Sequence, residues 1–264
     1  MSATLPPVAH PRQTATGLAL ASVIIAGWLT IHIGGIFFWP LSLGTAPLIA
    51  AAVLVQAWLS TGLFIIAHDA MHGSLAPRHP ALNHALGRLC LGLYAALSYG
   101  QLRPQHGEHH KHAGTVADPD FHADAPHKAG PWFVRFFSGY YTHGQIVRIT
   151  LVALVYIFVL GARLENIVVF WAVPALLALG QLFFFGTFLP HRHAEDGFAD
   201  EHRARSTKLS RGASLLTCFH FGGFHHEHHL SPGTPWWLLP RVRERDPRRE
   251  ISPPARRGPS GPLG

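Results

Sequence analysis

The sequence predicts an all-α integral membrane protein, with about four transmembrane helices carrying a histidine-rich cap that holds two metal ions. Three observations lead there. Hydrophobic residues make up 48% of the 264 residues and charged residues only 13%, more apolar than a soluble domain. Several apolar runs approach or exceed the ~20 residues that cross a bilayer as a helix. The chain holds 21 histidines, and many of them gather in boxes beside those runs.

Taken in order, residues 1–15, with Pro6, Pro7 and Pro11, read as a disordered arm. The apolar run behind it is too long for the core of a signal peptide. Residues 16–38 form a first span, in which His32 reads as a hydrogen-bonded or interfacial residue in preference to a substrate contact. Residues 47–67 form a second, with Gln56 and Ser60 turned toward other helices. Residues 85–102 are apolar but carry Arg88 and three glycines. If they crossed, the first two histidine boxes would lie on opposite sides of the membrane, so they read as a re-entrant or interfacial hairpin. The aromatic stretch Trp132–Tyr141 suits the headgroup layer. Residues 146–162, with Arg148 snorkelling at their start, and 166–189, kinked at Pro174, complete the four spans.

Residues 16–240 are therefore one membrane domain, and 241–264 a disordered basic tail suited to anionic headgroups. Four spans put both termini on one side. Of 21 Lys and Arg residues only Arg163 then lies on the far side, the positive-inside pattern, so the boxes face the cytoplasm. The formal charge of +7 is explained by this topology and calls for no nucleic-acid partner. Cys90 and Cys218 have no metal spacing and read as small buried residues without a disulfide.

The chemistry lies in the boxes His68-Asp-Ala-Met-His72, His106-Gly-Glu-His-His-Lys-His112 and Phe219-His-Phe-Gly-Gly-Phe-His-His-Glu-His-His229. His68 and His72 are one helical turn apart. His106, His109 and His110 share the spacing i, i+3, i+4 with His225, His228 and His229, which gathers each set on one side of a helix. Neutral imidazole is a ligand for iron, zinc and copper. With His191 at the end of the fourth span, or its rival His193, the candidates number nine. A tetrahedral ion needs four, so nine imply two metals. The Glu-x-x-His pairs of soluble di-iron bundles are absent from this sequence. Asp69, Glu108, Asp118, Asp120 and Glu227 can offset the charge by hydrogen-bonding ligand imidazoles, with Asp69 and Glu227, inside the boxes, favoured. His10, His79, His84, His127, His143 and His202 read as surface residues. His112, His122, His193, His220 and His226 read as neighbours of the boxes. A metal transporter places its ionisable residues within the spans; here they lie beyond the span ends, which favours an enzyme.

These boxes resemble those of the membrane fatty acid desaturase and hydroxylase superfamily. The flanking residues are similar to those of bacterial β-carotene ketolases: His68-Asp-Ala-Met-His-Gly73, His109-His-Lys-His-Ala-Gly114 with Asp118-Pro-Asp-Phe-His122, Phe185-Gly-Thr-Phe-Leu-Pro-His-Arg192, and Phe224-His-His-Glu-His-His-Leu230 followed by Pro235-Trp-Trp237. The resemblance covers about residues 60–240. It implies a desaturase-like fold in the bacterial inner membrane and an oxygenase that converts the C4 methylene of a β-ionone ring to a ketone. It also implies two Fe2+ ions, O2 as co-substrate and electrons from a reduced ferredoxin-like donor. By the same resemblance His68, His72, His106, His109, His110, His225, His228 and His229 are ligands, with His191 the ninth. A carotenoid delivered through the membrane lipid calls for an apolar tunnel, for which Phe183, Phe184, Phe185, Trp236 and Trp237 are candidate walls. An acyl-lipid desaturase and a carotenoid ring hydroxylase are the rivals within the superfamily.

Overall fold

The computed structural model describes residues 4–8, 10–194 and 197–245. In chain order its helices are α1 (Gln13–Phe38), α2 (Leu43–Met71), α3 (Pro80–Ala95), α4 (Tyr99–His112), α5 (Ala129–Tyr140), α6 (His143–Phe158), α7 (Leu164–His191), α8 (Arg211–Cys218), α9 (His225–Leu230) and α10 (Leu239–Arg245). No strand occurs among the described residues. α1, α2 and α7 are each long and apolar enough to cross a bilayer. α5 and α6 supply a fourth crossing only if the pair, bent by 76°, acts as one. The span expected at 146–162 is α6, whose 16 residues make about 24 Å of helix, short of the ~30 Å hydrocarbon layer.

α3 and α4 settle the parity of the boxes. α3 stops where Ala96 takes a left-handed conformation, φ 51°, and α4 returns toward the end of α2. Gly87 makes the return possible: a Cβ there would sit 2.2 Å from the Tyr99 ring. The outcome is His106 Nε2 at 2.8 Å from His72 Nε2. Residues 85–102 thus form a hairpin whose two ends meet at the histidine cap.

The first residues of the expected arm are seated on the cap. The Leu5 N–H donates to the Leu230 carbonyl at 2.7 Å, Val8 is buried, and α1 starts at Gln13, whose amide donates to the Ser74 carbonyl at 2.7 Å. Apolar contact of Val8 with Leu238 and Val242 is what holds this stretch down. At the other end, α10 takes up 241–245 of the expected tail; residues 246–264 fall outside the described residues.

Within the apolar layer, unpaired backbone groups are costly. α8 lies against α2 and α7, and its last carbonyls are met by side chains from both: Trp58 Nε1–H donates to Leu215 O at 3.3 Å and Gln181 Nε2–H to Leu216 O at 3.0 Å. Thr61 Oγ1–H, at 2.6 Å from Gln181 Oε1, sets the amide's orientation. Prolines shape the long helices in the same economy. Within α7 the π-helical turns Val168–Ala172 and Phe184–Phe188 each end two residues before Pro174 or Pro190. A proline lacks the N–H for the residue four back and its ring collides with that carbonyl, and a widened turn relieves both.

Gly34 and Gly35 make a stringent pair for testing this packing. A Cβ on Gly35 would lie 2.3 Å from the Phe170 ring, whereas one on Gly34 meets nothing within 4 Å. Phe170 is fully buried and has nowhere to go. Gly35→Ala is expected to destabilise the protein by roughly 1–3 kcal/mol, read as a lower melting temperature in detergent, while Gly34→Ala leaves it unchanged.

Candidate metal centre

The cap is built by four chain ends. α2 delivers His68 and His72, α4 delivers His106, His109 and His110, the last turn of α7 delivers His191, and α9 delivers His225, His228 and His229. Their nitrogens converge in two groups. One comprises His68, His72, His106, His110 and His228; the other His109, His191, His225 and His229. Within each group the candidate ligand atoms lie within 4.8 Å of one another.

The contacts are too many to be hydrogen bonds. His106 Nε2 lies 2.8 Å from His72 Nε2 and 3.1 Å from His110 Nε2, and His110 Nε2 lies 2.9 Å from His228 Nε2. His225 Nε2 likewise meets His191 Nε2 at 2.9 Å and His229 Nε2 at 3.1 Å. A ring nitrogen offers one in-plane proton or one lone pair, so it cannot serve two partners in this way. Lone pairs aimed at a common cation fit instead. Two nitrogens bound at right angles, each about 2.0–2.1 Å from one ion, lie about 3 Å apart. The donor set, all neutral imidazole with carboxylates behind it, suits iron among other divalent transition metals.

Orientation of the rings is uneven. His109 Nδ1–H donates to Asp118 Oδ1 at 2.9 Å, and His191 Nδ1–H donates to the Arg203 carbonyl at 2.7 Å. Asp118 is itself fixed by the N–H groups of Gly114 at 2.8 Å and Asp120 at 2.9 Å. Asp120 lies 3.7 Å from His109 and accepts from the Tyr140 hydroxyl. The buried Nδ1 atoms of His68, His225, His228 and His229 have no hydrogen-bond partner among the described residues, so packing alone holds those rings. Phe221 does part of it, lying edge-on to His68 and His228 at 4.5 and 4.8 Å.

The two favoured acids make their hydrogen bonds away from the ligand imidazoles. Asp69 Oδ2 accepts the Trp236 N–H at 3.0 Å, which ties the Pro235-Trp-Trp237 turn to α2, while its Oδ1 lies 3.7 Å from His68 Nδ1. Glu227 takes Ser206 Oγ–H at 2.5 Å and the Arg243 guanidinium, which clamps α9 to the neighbouring loop and α10. Glu108, on the surface, pairs with Lys111. The carboxylate that accepts a hydrogen bond from a ligand imidazole is Asp118, with Asp120 beside it, and the hint in sequence was their place in the Asp118-Pro-Asp-Phe-His122 run. His193 lies outside both groups, bonded to the Gly114 carbonyl at 3.1 Å. His226 donates to Asp200 at 2.9 Å. His202, read as a surface residue, is only 8% exposed. Within α1, His32 stacks on Trp28 and lies 3.2 Å from the Tyr156 hydroxyl, a hydrogen-bonded interior residue.

An apolar cavity of about 380 Å³ reaches the cap, where His68 and His106 of one group and His109 and His225 of the other line it. It follows one face of α7 through Ile167, Trp171, Ala175, Leu179, Leu182 and Thr187, twenty residues or about 30 Å of helix. Leu176 both lines it and is 62% exposed, so the cavity opens sideways toward the lipid. The walls differ from the expected ones. Phe183 is buried against Phe136 and Phe188, Phe184 is exposed, Phe185 packs on Gly222, Trp236 packs on Phe219 and Trp237 on Gly17. At this level the cavity face of α7 is Leu182, Gly186 and Thr187, and the three phenylalanines lie off it.

Burial, reinforced by neighbouring imidazoles, holds His72, His106, His110, His225, His228 and His229 well below the usual histidine value. Burial also pulls on His109, but Asp118 and Asp120 outweigh it and raise that ring. A depressed imidazole is neutral in the fold, so its contribution to stability is complete above the unfolded value of about 6.5 and is lost as pH falls below it. His109 works in the opposite sense, and six rings outweigh one. Chelator-treated protein is therefore expected to keep its melting temperature from pH 8 to 7 and to lose stability between pH 6.5 and 5. A flat profile down to pH 5 would contradict the neutral, convergent arrangement.

A family model described as fatty acid desaturase matches residues 43–149 and 138–256. A β-carotene ketolase of Paracoccus sp. (strain N81106 / MBIC 01143) is 48% identical over 231 residues, covering 87% of this chain and 93% of that protein. A β-carotene ketolase of Paracoccus sp. (strain PC1) is 47% identical over 88% of this chain and 94% of its own length. One of Haematococcus lacustris is 40% identical, with 88% and 80% covered. Two histidine groups at the end of an apolar cavity, a family match over most of the chain and this level of identity lead to one assignment: the chain belongs to the fatty acid desaturase family and, within it, to the β-carotene ketolases.

Proposed function

We propose that this chain oxidises C4 of a β-ionone ring to a ketone, taking β-carotene to echinenone and then to canthaxanthin, and zeaxanthin to astaxanthin. The observation that carries the reading is the side-open apolar cavity that ends on both histidine groups. In it His68, His72, His106, His110 and His228 hold one iron, and His109, His191, His225 and His229 the other. The iron pair, when bound, supplies the activation of O2 with electrons from a reduced ferredoxin-like donor.

The chain's own residues do the rest. A carotene has no polar handle on its ring, so affinity comes from apolar burial along the cavity, and the long face of α7 is suited to an extended polyene. Regiochemistry then depends on how deep the ring sits below the imidazoles. C4 is allylic and C3 is not, which favours attack at C4 once it is within reach. Two hydroxylations at that carbon give a geminal diol, which loses water to the ketone. Each hydroxylation consumes one O2, two electrons and two protons and releases one water. Asp118 keeps His109 in the tautomer that leaves Nε2 free for metal. The apolar lining of Phe64, Ile65 and Leu182 keeps bulk water from the reacting carbon.

The cap faces the cytoplasm of the bacterial inner membrane on this reading, with 85–102 re-entrant. Reporters fused after Gly264 and inserted near Ala123 are both expected to report cytoplasm. A far-side result at Ala123 would break the shared site. Purified protein is expected to carry about two irons per chain. His228→Ala and His191→Ala should lower iron content and activity together, while His79→Ala and His193→Ala should not lower iron content. A single tight zinc in active protein would overturn the reading. Expressed in cells that accumulate β-carotene, the chain is expected to yield echinenone first and canthaxanthin later, because each ring visits the site separately. Only 3-hydroxylated carotenoids, or unaltered carotene with changed acyl unsaturation, would hand the assignment to a ring hydroxylase or a desaturase.

A further inference from the structure

A second groove, of about 540 Å³, lies on the outside of the cap between the start of α1, α8 and the start of α10. Its walls include His10, Arg211, Leu215, His220, Trp237 and Arg241, and no carboxylate lines it among the described residues. We propose that this groove binds the phosphate headgroup of an anionic phospholipid.

Depth, charge and shape agree on that ligand. The groove sits where the apolar run of α1 begins, with Trp237 packed on Gly17; an indole and basic residues at that level are the marks of a headgroup layer. Arg241 is exposed and pairs with no described carboxylate. Arg211 shares one nitrogen with Glu244, but that pair is open to solvent, with the Arg211 side chain 70% exposed, and leaves other guanidinium N–H groups for an oxyanion. Phosphate is the anion such guanidinium groups bind best.

Phe219 and His220 take successive left-handed conformations, φ 46° and 73°, rare for residues with a Cβ, and together they turn the chain so that His220 lines the groove. The rest of the wall is largely apolar, with Leu215, Trp237, Leu238 and Pro240. Cations beside an apolar wall fit a headgroup with acyl chains attached, and a free anion would use only the cations.

The test uses the full chain. Purified protein is analysed by native mass spectrometry for retained lipid, then melted in nanodiscs of phosphatidylcholine alone or with phosphatidylglycerol, and separately in detergent with inorganic phosphate. Wild-type protein is expected to retain phosphatidylglycerol and to melt higher in its presence. Arg241→Gln, at an exposed position that puts folding at no risk, should weaken retention about five-fold, and Arg211→Gln/Arg241→Gln by the square of that. Arg163→Gln, far from the groove, should change nothing. Equal melting in the two nanodiscs, or equal retention in wild type and Arg241→Gln, overturns the site. Inorganic phosphate reproducing the full stabilisation overturns the lipid assignment in favour of a free anion.

Discussion

The constraint on which this structure depends is that nine imidazoles from four separate chain ends must meet within a few ångströms. α2, α4, α7 and α9 therefore all present a histidine-bearing segment at one end of the molecule. A chain that crossed the bilayer between the first and second boxes could not do this. The α3–α4 hairpin is the solution: it leaves the end of α2 and returns to it, at the cost of a left-handed Ala96 and a glycine at position 87. The connection from α7 to α9 meets the same demand by laying α8 against α2 and α7 and turning back through Phe219 and His220.

Satisfying that demand brings polar backbone into the apolar layer, and several buried polar side chains are explained by it. Trp58, Thr61 and Gln181 cap α8. Asn166 donates to the carbonyls of Gly35 and Trp39 at the end of α1. The widened turns before Pro174 and Pro190 do the same inside α7, whose last turn delivers His191 to the cap.

The boxes, three of the four spans and the hairpin at 85–102 were legible because each rests on local spacing or on parity. The acids were not, because a carboxylate's partner is set by tertiary contact. Glu227 sits among ligand histidines in sequence, yet its helix turns it outward to Arg243 and Ser206. Asp118 lies nine residues from His109 and reaches it only because Gly114, at φ 65°, reverses the chain. The cavity walls were misjudged for a similar reason: which phenylalanine faces a cavity is set by tertiary packing, here Phe183 against Phe136 and Phe185 against Gly222. His202 looked like a surface residue because it lies in a charged loop, and that loop folds over the cap.

The HxxHH spacing acquires a physical meaning from the way the groups divide. On a helix, i and i+4 lie about 40° apart in projection, while i+3 falls about 60° to the other side. Such a box is a fork, with two tines together and one apart. In the second box His106 and His110 enter the five-imidazole group and His109 the other; in the third, His225 and His229 enter the four-imidazole group and His228 the other. The two forks are set in opposite senses, so each group receives a pair from one and a single ring from the other. His68 and His72, spaced i, i+4, add a pair to one group alone and raise it to five. The other would be left with three, which is why it draws His191 from α7, outside any box. His193, two residues on along a chain that has left the helix, cannot take that place, because the backbone after His191 turns extended at Arg192 and carries it toward Gly114.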